Sequence, residues 1–362
     1  MRMEAVTIPV GGSRPYEVRV GPGLIRDAAA RTVRWSRKLL LSDENVAPLY
    51  AARIGLPQSY TTHLVPPGEG SKSFGQLERL LDRMAEAQLD RRSALVVLGG
   101  GVVGDLGGLA AALYMRGIDC VMLPTTLLAQ VDSSAGGKTA INLRAGKNLA
   151  GVFHPPALVL ADTQTLATLD AQEFRSGLGE VLKTGLLAGE ELLERLERGC
   201  EGLRQRDPEL LSGIVADCVR HKAGVVERDE REQGERARLN LGHTFAHAIE
   251  HVAGYGTIPH GVAVGVGLCL ALELSRRLGR LEDSTLPERM RRLLHGLEMP
   301  SSLAELEQRH QTKLSPAALA DAMRLDKKSL DGSVRFVLPL SAGRIAFGVE
   351  VDPFTLLEVL GS

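Results

Sequence analysis

The sequence predicts two domains. Residues 1–170 form an α/β domain with a Rossmann-like, mostly parallel sheet, and residues 171–362 form a mainly α-helical domain. Three observations predict them. A chain of 362 residues is longer than one core usually serves. The first half alternates short apolar runs with amphipathic helical patterns, whereas after about residue 170 nearly everything reads helical.

The candidate strands, in order, are EVRV (17–20), KLLLS (38–42), THLVP (62–66), ALVVLG (94–99), CVMLP (120–124) and ALVLAD (157–162). Between them lie stretches such as FGQLERLLDRMAEAQ, whose Leu77, Leu80, Leu81 and Met84 recur on a helical period. Strands apolar on both faces and separated by helices argue for a parallel sheet covered on both sides. The second half carries the helical runs FRSGLGEVLKTGLLAG, ELLERLERGCEGLRQ, PELLSGIVADCVRHKAGVVERDERE, NLGHTFAHAIEHVAG, HGVAVGVGLCLALELSRRLG and PERMRRLLHGLEM. Only the extended pair VRFVLPL and RIAFGVEV interrupts them.

Composition narrows the function classes. Forty-three basic against forty-four acidic side chains give no reason to expect a nucleic-acid or membrane-surface partner. The four cysteines, Cys120, Cys200, Cys218 and Cys269, are scattered without a CxxC pair, which argues for a reducing cytoplasm. The stretch MRMEAVTIPVGG lacks an apolar signal-peptide core, and the longest uncharged apolar run, 261–272, is too short to cross a bilayer.

Two glycine-rich stretches suggest anion chemistry. Gly99, Gly101 and Gly104 follow a strand and lead into a helix, where a backbone can approach a pyrophosphate. A tight packing turn is the plainer reading of that pattern. The acidic residue usual about twenty positions on is misplaced, because Asp119 precedes a strand; Asp43 with Asn45, at the end of KLLLS, is the better ribose partner. The second stretch, DSSAGGKTAI, looks like the tail of a nucleoside-triphosphate loop. Its first position is Asp132 where that loop needs glycine, and a carboxylate there repels phosphate. Lys138 in a tight turn therefore faces some other negative group.

The helical half carries metal-ligand chemistry. LNLGHTFAHAIEH places His243 and His247 one turn apart on one face, although the glutamate of HExxH is missing. His260 precedes an apolar helix, and Glu180 and Lys183 share a face of a helix suited to burial. Two histidines and one glutamate make a recognised catalytic zinc arrangement. The residues alone leave the grouping open among nine histidines.

GGGVVGDLGG (99–108), YMRG (114–117), LPTTLLAQVDSSAGGKTAIN (123–142), GKNLAGVFHPP (146–156), GLGEVLKTG (177–185), DERE (229–232), RLNLGHTFAHAIE (238–250) and LDKKS (325–329) run through most of the chain. Together they resemble the 3-dehydroquinate synthase family of sugar phosphate cyclases. The resemblance implies an NAD-binding first domain and a second domain that binds substrate and zinc or cobalt. Glu180, His243 and His260 would hold the metal, leaving His247 as an active-site residue. Asp43, Asn45, Glu69, Lys72, the turn Gly100, Gly101, Val102, Val103, Gly104 and Asp105, then Thr125, Thr126, Lys138, Lys147, Thr165 and Thr168 would contact NAD. Arg116, Asp132, Lys138, Asn148, Lys183, Lys222, Arg236, Asn240 and either Lys327 or Lys328 would line the substrate pocket.

The implied substrate is a phosphorylated heptulosonate, cyclised to 3-dehydroquinate with loss of phosphate by a cytoplasmic homodimer. Oxidation by NAD acidifies a neighbouring C–H, phosphate leaves, the hydride returns, and an intramolecular aldol closes the ring. His247 is the implied proton shuttle and the lysines stabilise anionic charge. Two positions depart from the family pattern: Val262 stands in place of glutamate and Gly179 in place of alanine. The rival readings are a sister cyclase making 2-deoxy-scyllo-inosose or 2-epi-5-epi-valiolone, a metal-dependent polyol dehydrogenase, and a metal-free nucleotide-binding regulatory module.

Overall fold

Apolar runs buried on both faces demand cover from both sides, and the chain supplies it with helices. The computed structural model describes residues 4–55, 60–326 and 334–361. Its strands are β1 (Val6–Val10), β2 (Tyr16–Gly21), β3 (Lys38–Asp43), β4 (Thr61–Val65), β5 (Ala94–Gly99), β6 (Asp119–Pro124), β7 (Lys138–Leu143), β8 (Gly146–Phe153), β9 (Leu158–Asp162), β10 (Arg335–Ser341) and β11 (Arg344–Glu350). The helices are α1 (Leu24–Arg31), α2 (Ala47–Tyr50), α3 (Phe74–Glu86), α4 (Gly101–Leu113), α5 (Ala171–Ala188), α6 (Glu190–Arg198), α7 (Cys200–Arg204), α8 (Pro208–Arg228), α9 (His243–Ala253), α10 (His260–Arg277), α11 (Leu286–Gly296), α12 (Leu303–His310), α13 (Pro316–Asp326) and α14 (Pro353–Leu360).

Among the described residues one sheet has seven strands, ordered β1-β2-β9-β6-β5-β3-β4. β1 pairs antiparallel with β2, and every other pairing in it is parallel. All six residues of β5 and all five of β9 are buried, as two-sided cover requires. β1 shows the alternating burial of a strand covered on one face. From β3 the chain steps outward to β4, then returns to the far side of β3 as β5 and continues to β6 and β9. The strand order therefore reverses between β3 and β5. Such a switch point opens a crevice at the carboxyl ends, where Asp43 and Gly99 lie.

The chain divides into two compact units, residues 1–169 with 211–231 and residues 170–210 with 232–362. This differs from the expected split at 170 in one segment, because residues 211–231 cluster with the first unit. Side chains explain the difference. Ser212 Oγ meets Thr163 Oγ1 at 2.7 Å, Lys222 donates to the Asp132 carbonyl at 2.7 Å, and Glu230 accepts from the Ser13 N–H at 2.9 Å. The second unit opens on Asp170, whose carboxylate caps α5 by accepting from the Gln172 N–H.

Three strands escaped the sequence reading. β1 is short and contains Pro9, while the β7–β8 hairpin includes a strand with most residues exposed and no apolar alternation. No helix among the described residues is long and apolar enough to cross a membrane. The four cysteines form no disulfide.

Candidate active site

At the switch point Gly100 is the extended N-cap of α4, and a Cβ on Gly104 would meet nothing within 4 Å. The first-turn N–H groups of a helix, here those of Gly101, Val102 and Val103, lack intrahelical acceptors and favour anions. Thr125 donates its N–H to the Gly99 carbonyl at 3.0 Å, while its buried Oγ1 has no hydrogen-bond partner. Open space beside a helix N-terminus and an unused buried hydroxyl fit a dinucleotide.

Other expected cofactor residues are engaged within the unit. Asp43 Oδ1 accepts from the N–H groups of Asn45 and Val46, both at 2.9 Å, so one carboxylate oxygen holds the turn. Thr126 Oγ1 accepts from the Ala129 N–H, Thr165 Oγ1 donates to the Asp162 carbonyl at 2.8 Å, and Thr168 pairs with Tyr50. These three hydroxyls brace the scaffold.

Buried Lys72 lies 2.6 Å from Asp105 Oδ2, donates to Asn148 Oδ1 and sits 3.7 Å from Glu69. Burial raises the Asp105 carboxyl above its usual range, with Lys72 opposing it. Asn142 ties the group together, donating to Glu69 Oε1 at 2.7 Å and accepting from the Asn148 N–H at 2.9 Å. The sequence reading did not single out Asn142. Lys147 precedes Asn148 on β8.

The GGKT stretch is a turn into a strand. Gly136 and Gly137 have φ of 97° and 68°, and a Cβ on Gly137 would lie 2.8 Å from the Pro155 nitrogen. Lys138 then opens β7, where a triphosphate-binding loop would open a helix. With Gly104, Asp105 and Ser134, Lys138 lines a small cavity beside the glycine turn. Asp132 sits on a π-helical turn, Ala129–Ser133, a local distortion frequent at functional sites. Lys222 of α8 pairs with its carboxylate.

Arg116 stands apart from these residues. It follows α4, which spans about 20 Å, and so lies at the amino end of β6 while the glycine turn lies at the carboxyl end of β5. Lys327 and Lys328 lie outside the described residues.

In the second unit one ligand atom from each of Glu180, His243 and His260 lies within 4.8 Å of the others. His243 Nε2 and His260 Nε2 are 3.6 and 3.4 Å from Glu180 Oε1. Ligands at about 2.0–2.1 Å around a tetrahedral zinc are themselves separated by about 3.3 Å, so the trio fits one ion. The His243 Nδ1–H donates to the Leu241 carbonyl at 3.2 Å, leaving the Nε2 lone pair for a ligand. Burial, then Lys183, pushes the His243 imidazole down to about 3. His260 goes the other way. Burial disfavours its cation, but hydrogen bonds to Glu180 and Glu250 outweigh that and raise it to about 10. Lys183 Nζ lies 2.5 Å from Glu180 Oε2, which offsets the cost of a carboxylate only 1% exposed.

Glycines bring the trio together. A Cβ on Gly179 would fall 1.9 Å from the Gly261 carbonyl oxygen, and one on Gly261 would fall 1.6 Å from the Ser176 carbonyl oxygen. α5 and α10 thus touch backbone to backbone beside Glu180 and His260. The alanine that the family pattern expects at 179 would not fit this crossing.

Val262 is buried, and the carboxylate expected there comes from α9: Glu250 Oε2 lies 2.9 Å from His260 Nδ1. Glu250 follows His243 and His247 at the next position on one helix face, a spacing readable in the sequence but not used. The contact orients His260 Nε2 toward Glu180. Glu250→Gln is expected to weaken zinc binding about 10–100-fold, read by chelator competition. Unchanged affinity would show that the contact does not orient the ring. His247 is exposed, its ring centroid 5.6 Å from His243 and 6.2 Å from His260. Arg236 is buried in a 3-10 turn, Glu235–Asn240, that packs on α5, and Asn240 donates to Glu232 at 3.2 Å.

A glycine turn at a switch point and a carboxylate–bis-imidazole trio define a class, enzymes that combine a dinucleotide with a divalent metal. Residues 62–176 match the family model of the 3-dehydroquinate synthase N-terminal domain, and residues 177–329 match that of its C-terminal domain. The chain belongs to the 3-dehydroquinate synthase family.

The 3-dehydroquinate synthase of Xanthomonas campestris pv. campestris (strain 8004) is 45% identical, over 98% of this chain and 97% of that one. That of Xylella fastidiosa (strain 9a5c) is 42% identical, over 98% and 92%. Among solved structures, 2-deoxy-scyllo-inosose synthase complexed with carbaglucose-6-phosphate, NAD+ and Co2+ is 25% identical with a TM-score of 0.85, over 98% and 99% of the chains. The 2-epi-5-epi-valiolone synthase from Streptomyces hygroscopicus subsp. jinggangensis 5008, with NAD+ and Zn2+ bound, is 28% identical with a TM-score of 0.85, over 99% and 98%.

Proposed function

We propose that the chain converts 3-deoxy-D-arabino-heptulosonate 7-phosphate to 3-dehydroquinate and phosphate, a carbon–oxygen lyase step toward shikimate, chorismate and the aromatic amino acids. The trio of Glu180, His243 and His260, in a chain that matches this family from 62 to 329, carries the proposal. The NAD+ and Co2+ or Zn2+ of the two neighbours support the cofactor pair. When bound, NAD supplies a hydride acceptor regenerated within each turnover, and the metal supplies Lewis-acid polarisation of substrate hydroxyls.

The chain's own residues do the rest. The turn Gly100–Asp105 and Thr125 hold the dinucleotide. Lys138, Lys183 and Arg236 neutralise the carboxylate and phosphate of the substrate. Asp132, held by Lys222, accepts from substrate hydroxyls. His247 moves a proton to or from the substrate.

Phosphate release from the heptulosonate phosphate, with trace NAD and added zinc, tests this reading. The expected result is many turnovers per NAD with no NADH accumulating. Stoichiometric NADH would mean a polyol dehydrogenase, and a preference for glucose 6-phosphate or sedoheptulose 7-phosphate would mean a sister cyclase. Phosphate release unaffected by metal removal would defeat the role of the trio.

Lys222→Met frees the Asp132 carboxylate and removes a cation. It is expected to lower kcat/KM about a hundredfold with zinc content unchanged; equal loss of zinc would place Lys222 in metal retention instead. We further propose a homodimer in the cytoplasm, testable by sedimentation of the purified enzyme.

A further inference from the structure

The amino end of the sheet carries a pocket of roughly 730 Å³ that none of the proposed chemistry uses. It lies where β6 and β9 begin, at the end of the strands opposite the glycine turn. Arg14, Arg31, Arg34 and Arg92 line it, each from a different connection or helix end, against the acidic lining residues Asp119 and Glu17. In a chain with balanced total charge this is a local excess of positive charge.

The carboxylate that would best neutralise it is already engaged at both oxygens. Asp119 Oδ1 pairs with Arg14, and Asp119 Oδ2 accepts from Trp35 Nε1 at 2.6 Å. Arg31 Nε is buried without a hydrogen-bond partner, and its guanidinium comes no nearer than 4.0 Å to Asp27. The pocket also has a planar wall: Trp35 is only 4% exposed, covered by the exposed Arg34, whose guanidinium lies 4.1 Å from its ring centroid. Volumes of about 300–1,000 Å³ are usual for small-molecule sites, and guanidinium forks match phosphate oxygens in pairs.

We propose that this pocket binds a phosphate monoester of a flat, ring-bearing alcohol, the dianionic head among the arginines and the ring stacked on the Arg34 guanidinium that covers Trp35. The site is separate from the one that performs the proposed reaction and stands whether or not that reaction is correct.

Trp35 is the chain's single tryptophan, so its fluorescence reports on this pocket alone. Phenyl phosphate titrated into the full-length protein is expected to change that emission saturably. Inorganic phosphate should bind at least tenfold more weakly and phenol should leave the signal flat. The double variant Arg31→Gln/Arg92→Gln should lose at least tenfold in phenyl phosphate affinity while keeping its thermal midpoint and its phosphate-release rate. Calorimetric titration of both proteins gives the same comparison without relying on the tryptophan signal. No saturable heat or emission change up to about 10 mM, far weaker than small-ligand binding of millimolar Kd, would overturn the proposal. So would equal affinity in the double variant, or equal affinity for phenol.

Discussion

Replacing Glu180 by Gln is expected to lower phosphate release about a thousandfold, the equivalent of ~4 kcal/mol of transition-state stabilisation. Zinc content should fall with it. Both histidine Nε2 atoms face Oε1 of this one carboxylate, and its other oxygen faces Lys183. The amide keeps the shape but removes the negative charge, so two imidazoles and a lysine are left to hold a dication. Reduced metal content by atomic absorption, beside a folded far-ultraviolet spectrum, is the expected pair of readings. A variant that retains full zinc and full rate would remove the trio from the chemistry.

The second large effect belongs to a residue with no reactive atom. Gly261→Ala places a methyl group 1.6 Å from the Ser176 carbonyl oxygen, where no rotamer can relieve it. α5 and α10 must separate, and overpacking of this kind costs about 3 kcal/mol. The hydrogen bond from the Gly261 N–H to Ser176 Oγ, 3.1 Å long, would be strained as well. Because Glu180 and His260 flank the crossing, stability and zinc affinity should fall together. Urea denaturation and chelator competition measure the two. A stable variant with weakened zinc binding would mean the helices part easily; no loss in either would refute the close-approach argument.

Much of the first unit was legible because its signals are local. Runs such as ALVVLG, buried at every position, announce a strand covered on both sides, and the helical period of Leu77, Leu80 and Met84 marks the buried face of α3. β7 and β8 were not legible. β8 exposes Leu149 and Phe153, so no alternation marks it, and only pairing with β7 makes it a strand. Residues 211–231 read as part of a helical half by texture, and side-chain contacts with Asp132 and Thr163 assigned them otherwise.

The metal site divides in the same way. His243 and His247 share a helix face, and that much follows from a spacing of four. The resemblance supplied the trio, but the residues alone did not say which histidine meets Glu180. Glu250 was on the same face and passed unnoticed, because its partner His260 begins a different helix.

By itself, the chain's order of residues determined the α/β and helical textures, the glycine turn after a buried strand, and the failure of Lys138 to belong to a triphosphate loop. These depend on neighbours within a turn or a strand, where sterics and periodicity act directly. Only the folded arrangement decided that His260 and not His247 stands beside Glu180, that Glu250 takes the place of the carboxylate missing at Val262, and that Arg116 lies away from the glycine turn. Those outcomes depend on how closely α5 and α10 approach and on which end of a strand each loop occupies, and both are set by packing between segments far apart along the chain.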